Sequence, residues 1–170
     1  MSWIRDYLIG GDLRSLGRAT ELIHKINNQE DFDLLMQELV SKDRIVTMRA
    51  ADIIEKVTIK HEDYLQPYKR TILNLLTNAE NIEFKWHIAL LISQLKLTPT
   101  EAGKAWNILT GWALDKKESR IVRVNSLQSL YNISNKYTKL KSDLEHTFNE
   151  LETQNIPSIN ARIKKLRKYF

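Results

Sequence analysis

The stretch that decides the fold is residues 18–26, RATELIHKI, which is repeated as residues 49–57, RAADIIEKV. Apolar positions match apolar positions, Arg matches Arg, acid matches acid and Lys matches Lys. In both copies the apolar residues fall at i, i+3, i+4 and i+7, which is the spacing of one face of an α-helix. An internal repeat of this kind predicts stacked helical units that bury their apolar faces against one another.

The repeat continues through the rest of the chain. Further copies begin at residues 84–87 (FKWH), 122–125 (VRVN) and 159–162 (INAR), with a period of about 38 residues. A second amphipathic segment precedes each of the last four copies. Polar turns near residues 41–45, 78–82, 115–119 and 154–157 separate the two helices of each pair. Residues 98–101, TPTE, predict a helix start with a capping box and Pro in the first turn.

The predicted fold is therefore all-α, a right-handed α–α solenoid of about five helical pairs. We expect a single domain over residues 1–170, with repeats at approximately 1–28, 29–60, 61–97, 98–136 and 137–170.

Two segments carry a resemblance to a known family. Residues 43–51, DRIVTMRAA, and residues 119–127, SRIVRVNSL, resemble the HEAT-repeat signature, which has a polar turn, a Val-Arg pair, and then small residues and Leu. The chain keeps the pair at Val122-Arg123, loses its Arg at Val46-Thr47 and replaces it with Lys at Phe84-Lys85. The chain is also similar to small, stand-alone bacterial HEAT-repeat proteins. The resemblance implies an ARM-type fold whose second helices line a concave face, and it leaves the function open.

The composition narrows the class of protein. The chain has 5 Gly and 3 Pro in 170 residues, which suits long helices, and it has no Cys, which favours a reducing compartment. We therefore predict a cytoplasmic protein, and no apolar run approaches the length of a membrane span. Residues 1–99 carry 13 Lys/Arg and 14 Asp/Glu, a net charge of −1, whereas residues 100–170 carry 13 and 7, a net charge of +6. A basic half is compatible with nucleic acid or an acidic partner, and also with simple solubility.

Aligning the copies places polar residues in columns on the second helices. The predicted binding ladder, largely exposed on the concave face, consists of Arg18, Arg49, His87, Asn125, Arg162 and, one turn further on, Lys165. In the first two copies the charges can pair locally, as Arg18 with Glu21 and Asp52 with Lys56. The last copy has no acid in register. The ladder is either a graded binding groove or a solvated helix face.

The sequence offers little for catalysis. The four His residues, His24, His61, His87 and His146, lack metal-ligand spacing, and no nucleotide-binding or nucleophile motif occurs. We predict no catalytic residue, no metal, no cofactor and no small-molecule substrate. One HEAT-like group, the alkylpurine DNA glycosylases, is enzymatic and needs aromatic residues, an Asp and an Arg on its concave face. Here Asp52 is the only Asp that the alignment places there, and no Trp shares its helix.

The predicted function is a non-catalytic interaction module, a scaffold that binds a protein or peptide in its concave groove. The alternative is a nucleic-acid-binding or DNA-alkylation-repair-type protein that uses the basic C-terminal half. Its candidate phosphate contacts are Lys85, Arg120, Arg123 and Lys168. The cations of the last helix have no acid in register and could serve as such a site or as a soluble cap: Arg162, Lys164, Lys165, Arg167 and Lys168.

Overall fold

The short polar turns of the sequence reappear as helix boundaries in the structure, a computed structural model that describes residues 2–11 and 15–170. Residues 12–14, which belong to the first expected repeat, lie outside the described residues. The described part of the chain contains helices and no strand, so the all-α prediction is confirmed. It divides into two compact units, Met1–Tyr68 and Lys69–Phe170.

The first unit is built around one long helix. It contains α1 (Arg5–Leu8), a 3-10 helix (Gly17–His24), α2 (Gln29–Glu38), α3 (Arg44–Thr58) and a second 3-10 helix (Glu62–Tyr68). Asn28 and Asp43 cap the starts of α2 and α3, because their side chains accept hydrogen bonds from backbone N–H groups of the first turns. Helix α3 contacts α1, α2 and both 3-10 helices. It therefore supplies the centre of the core.

The second unit contains three helical hairpins. Its helices are α4 (Lys69–Thr77), α5 (Ile82–Ile92), α6 (Pro99–Leu114), α7 (Arg120–Lys136), α8 (Lys141–Glu152) and α9 (Pro157–Arg167), with a 3-10 turn (Thr138–Leu140) before α8. The hairpin partners α4 and α5, α6 and α7, and α8 and α9 are in contact. Helix α7 also contacts α5 and α9, and α6 also contacts α4 and α8. The second helices of the hairpins are thus consecutive neighbours, and so are the first helices.

Several boundaries agree with the sequence. The four predicted turns coincide with the breaks between α2 and α3, α4 and α5, α6 and α7, and α8 and α9. The capping box is confirmed: the Thr98 hydroxyl accepts from the Glu101 N–H at 3.3 Å, and the Glu101 carboxylate accepts from the Thr98 N–H at 2.7 Å. This reciprocal pair satisfies two N–H groups that the helix itself cannot.

Two details differ from the prediction. The segment Gly17–His24 is a 3-10 helix and not an α-helix. With three residues per turn, only positions three apart share a face, so Ala19 and Leu22 are buried whereas Ile23 is half-buried. At the other end of the chain, the apolar spacing of Ile159, Ile163, Leu166 and Phe170 predicts that all four point inward. Phe170 is 41% exposed, because α9 ends at Arg167.

Candidate functional site

The polar stripe of α7, expected to face a groove, instead forms a seam against α5. Asn125 donates to the backbone oxygen of Trp86 at 3.1 Å, and Asn132 donates to the Ser93 hydroxyl at 3.2 Å. Lys136 donates to the Ser93 backbone oxygen at 3.0 Å, just beyond the end of α5, where a cation is favoured by the helix dipole. Two hydroxyl groups add to the seam. Ser129 on α7 donates to the Ala89 backbone oxygen, and Tyr137, just after α7, donates to the Leu97 backbone oxygen in the segment that follows α5.

Arg49 was predicted to be an exposed member of the binding ladder, and this expectation is wrong. Its side chain is only 1% exposed. Its guanidinium donates to backbone oxygens at and just after the end of α1, at 2.7 Å to Leu8, 3.2 Å to Ile9 and 2.6 Å to Gly10, and also at 2.8 Å to Ser15. The last carbonyls of a helix have no partner within the helix. Arg49 satisfies them, and for that reason it is buried.

His87 is also buried, at 6% exposure, against the expectation that it would be an exposed ladder residue. It lies on α5 beside Trp86, with the two ring centres 5.4 Å apart and the ring planes inclined at 66°. The sequence around it explains the burial, since His87, Ile88 and Ala89 are consecutive buried residues of a helix packed against both α4 and α7. A helix contacted from two sides buries more than one stripe of residues.

Arg18 is the ladder residue of the first unit that matches the prediction. It is exposed, and its guanidinium lies 3.1 Å from the Glu21 carboxylate and 4.5 Å from the centre of the Tyr7 ring. The predicted Asp52–Lys56 ion pair is present at 2.6 Å. Arg18 and Glu21 are exposed, whereas Asp52 and Lys56 are half-buried, and in both cases pairing compensates the charge. This pairing leaves the surface locally neutral.

The arginines of the basic half are largely engaged within the protein. Arg123, a candidate phosphate contact, is 2% exposed; it donates to the Ala113 backbone oxygen at 2.8 Å and to Gln154 at 2.7 Å. Arg162 is half-buried and donates to Gln128 at 2.6 Å. Burial lowers the pKa of both guanidinium groups from the usual value. The expectation of exposure is therefore wrong for Arg123, and for Arg162 it holds only in part.

Two further cations prove to be paired. Lys85, another candidate phosphate contact, forms an ion pair with Glu118 and lies 5.4 Å from the centre of the Trp112 ring. Arg167 was expected to have no nearby acid, and it instead bridges Glu145 at 2.6 Å and Glu152 at 2.8 Å. Both acids lie on α8, a first helix that packs against α9. The alignment compared second helices only and therefore could not reveal these partners.

The remaining candidates are exposed: Arg120, Lys165 and Lys168. Lys164 and Lys165 lie on α9 and Lys168 directly follows its last residue, so that the three, at i, i+1 and i+4, form one exposed stripe. None of the three has an ion-pair partner among residues 2–11 and 15–170.

An open groove lies between the first helices of two hairpins, α4 and α6. It has a volume of about 630 Å³. Its α4 wall includes Arg70, Thr71, Asn74 and Thr77, and its α6 wall includes Glu101, Lys104 and Ile108, with Leu73, Leu76 and Ala105 supplying further apolar surface. The alignment of second helices did not reveal this groove, because the groove lies on first helices. A usable signal was present in the i, i+4, i+7 spacing of Arg70, Asn74 and Thr77 on α4.

Three searches for relatives gave no match: no protein-family model, no curated protein and no solved structure is similar to this chain at a significant level. A functional proposal for the chain therefore rests on the geometry of the described residues. Among those residues no group of three or more His, Asp or Glu side chains is arranged to hold a metal ion. No described helix combines the length and apolar character required to cross a bilayer.

Proposed function

We propose that this protein is a non-catalytic interaction module, a right-handed HEAT-like solenoid of five helical pairs that binds a segment of a protein partner. The observation that carries the proposal is the open groove between α4 and α6, with apolar residues between polar and basic walls. Binding sites for flexible segments combine these two features, since apolar surface supplies affinity and polar groups fix orientation.

The order of helix contacts in the second unit supports the solenoid part of the proposal. Second helices α5, α7 and α9 are consecutive neighbours, as are first helices α4, α6 and α8. Each hairpin of a solenoid contacts only the hairpins before and after it. The absence of Cys from the sequence fits a cytoplasmic location, which is part of the same proposal.

The proposed site differs from the ladder that the sequence indicated. In the second unit, Asn125 and Arg162 are bonded to neighbouring helices, and His87 is buried. Side chains already satisfied within the protein have little left to offer a partner. The residues of the α4–α6 groove include exposed polar groups, such as Arg70, Asn74 and Lys104.

Site-specific photo-crosslinking in cells tests the proposal. A benzophenone amino acid replaces Asn74, which lines the groove, and in a matched control replaces Asn107, an exposed residue of α6 outside the groove lining. We expect a discrete, protease-sensitive and nuclease-resistant product with the probe at position 74 and none at position 107. Identical products from both positions, or none from position 74, would contradict the proposal.

Nucleic-acid binding is the second candidate, and the exposed stripe of Lys164, Lys165 and Lys168 is the observation that favours it. Each phosphate contact contributes roughly one unit to the slope of log affinity against log salt. Replacing all three lysines by Gln should then flatten that slope by about three units. The control is the exposed triplet Lys116, Lys117 and Lys139, replaced in the same way. We expect that replacing the first triplet changes no salt-dependent binding to duplex DNA. Duplex binding that is lost with the first triplet and kept with the control triplet would favour this second function.

A further inference from the structure

We propose that the α4–α6 groove selects an extended segment in which an acidic residue and an aliphatic residue are separated by one residue. The inference rests on the proposed function, because it specifies the ligand of the same groove. It goes beyond that function by naming which side chains of the partner are recognised and by which residues.

One end of the groove is positively charged. The ion pair between Lys69 and Glu101, at 3.0 Å, brings the first turns of α4 and α6 together. Glu101 is already satisfied by Lys69 and by the Thr98 N–H. These same contacts, the Thr98 bond first, lower the pKa of its carboxyl below the usual value, so that it stays ionised and paired.

Arg70 and Lys104 are the two cations left over in the groove, one on each wall. Both are exposed and line the groove. Neither has an ion-pair or hydrogen-bond partner in the part of the chain that the structure describes. With Glu101 offset by Lys69, the groove carries two uncompensated positive charges. A carboxylate complements them, whereas a Lys or Arg of a partner would be repelled.

The groove is apolar further along. Leu76 and Ala105 are buried beneath it, and Leu73 and Ile108 are half-buried at its walls. Two of these residues lie beyond the cations along the helices: Leu76 is six residues after Arg70, and Ile108 is four residues after Lys104. An aliphatic side chain inserted there removes apolar surface from water on both partners.

The length of the groove sets the spacing of the two recognised residues. The stripe from Arg70 to Thr77 rises about 10 Å, given 1.5 Å per residue of helix. An extended chain rises about 3.3 Å per residue, so a run of three residues spans about 6.6 Å and fits within this length. Because alternate residues of an extended chain point to the same side, the first and third of these residues face the groove together. One then meets the cations and the other meets the apolar wall.

Peptide titrations followed by the amide resonances of the 15N-labelled full chain test the inference. The probes are acetylated, amidated Gly-Asp-Gly-Leu-Gly and its reverse, with analogues in which Asn replaces Asp, Lys replaces Asp or Ala replaces Leu, and inorganic phosphate alone. We expect one of the first two to shift the amides of Thr71, Asn74 and Ile108. The Asn and Ala analogues should bind about tenfold more weakly, and the Lys analogue should not bind measurably.

A charge-matched pair of variants localises the effect. The double replacement Arg70→Gln with Lys104→Gln should weaken the acidic peptide about tenfold or more, whereas Lys116→Gln with Lys139→Gln should leave it within twofold. Equal binding of the Asp and Asn peptides, or equal losses in both double variants, would overturn the inference. Inorganic phosphate that binds as tightly as the peptide would also overturn the inference, because that result would define an anion site without aliphatic selection.

The experiment separates this inference from the proposed function. If the photo-crosslink at position 74 forms but the peptides show no preference for an acid, the groove binds a partner by other chemistry, and only the inference fails. If the crosslink is absent and none of the peptides shifts the groove amides, both fail. Because Arg70 and Lys104 are exposed, their replacement does not threaten folding, and unchanged resonances elsewhere verify this.

Discussion

Replacement of Arg49 by Met should release the segment that follows α1. Met keeps much of the volume of Arg and removes the guanidinium, which donates to the carbonyls of Leu8, Ile9, Gly10 and Ser15. A hydrogen bond to a charged group contributes about 1.5–3 kcal/mol. The cost of burying the charge offsets part of this sum, and the freed segment can rehydrate its carbonyls. We therefore expect a net loss of about 3 kcal/mol from the free energy of opening this segment.

Hydrogen exchange of single amides measures this loss directly. The Ile9 amide donates to the Arg5 carbonyl at 3.1 Å and the Ala19 amide to the Leu16 carbonyl at 3.0 Å, so both report on the segment. A loss of about 3 kcal/mol should accelerate their exchange more than a hundredfold. Arg120→Met, at an exposed position, is the control and should leave both rates unchanged. Rates in Arg49→Met within threefold of the parent would refute the view that Arg49 fastens this segment.

Three further predictions concern stability. Gly11→Ala should destabilise the first unit by more than Gly10→Ala in urea unfolding. Both glycines have positive φ, so either substitution costs about 1–2 kcal/mol. At Gly11, unlike at Gly10, the new Cβ would also meet the Arg49 side chain at 3.0 Å. Leu91→Ala, at a fully buried position, should cost about 2–5 kcal/mol, whereas Lys165→Ala should stay within about 0.5 kcal/mol. The pKa of Tyr68 is raised above its usual value of about 10, mainly by burial and secondly by the hydrogen bond that its hydroxyl donates to Asp33. The resulting stabilisation is present below pH 10 and lost as the pH rises further, so stability above pH 10 should fall more steeply in the parent than in Tyr68→Phe.

The sequence predicted the helical class and the turn positions well because both are local properties. Apolar periodicity marks which residues need a neighbour, and the capping signal at Thr98 marks where a helix begins. The i, i+3, i+4, i+7 pattern of the copies places Ile54 and Leu91 on the core face, and both are fully buried. Where the periodic pattern was short, as in Gly17–His24, the hydrogen-bonding pattern of the helix could not be deduced from it.

The candidate site was predicted less well, because exposure depends on what each polar residue finds across the helix interface. Arg49 and Arg18 occupy equivalent positions in the repeat, yet one is buried and the other exposed. The difference arises from partners distant in sequence, the carbonyls that follow α1 for Arg49 and the Tyr7 ring for Arg18. A repeat alignment identifies equivalent positions, and it contains no information on which of them meets an unsatisfied carbonyl.

The polar residues of α7 show why a polar stripe and a binding surface are different things in stacked helices. Asn125, Ser129 and Asn132 lie along one side of α7 and all bond to the α5 region. Small polar side chains let two helices approach closely and still satisfy their own donors, so they specify register between neighbours. A partner that bound this stripe would first have to break those bonds. The stripe of α4 carries Arg70, whose guanidinium forms no hydrogen bond or ion pair within the described chain. Only a charge that is not already engaged within the protein can contribute to selecting a partner.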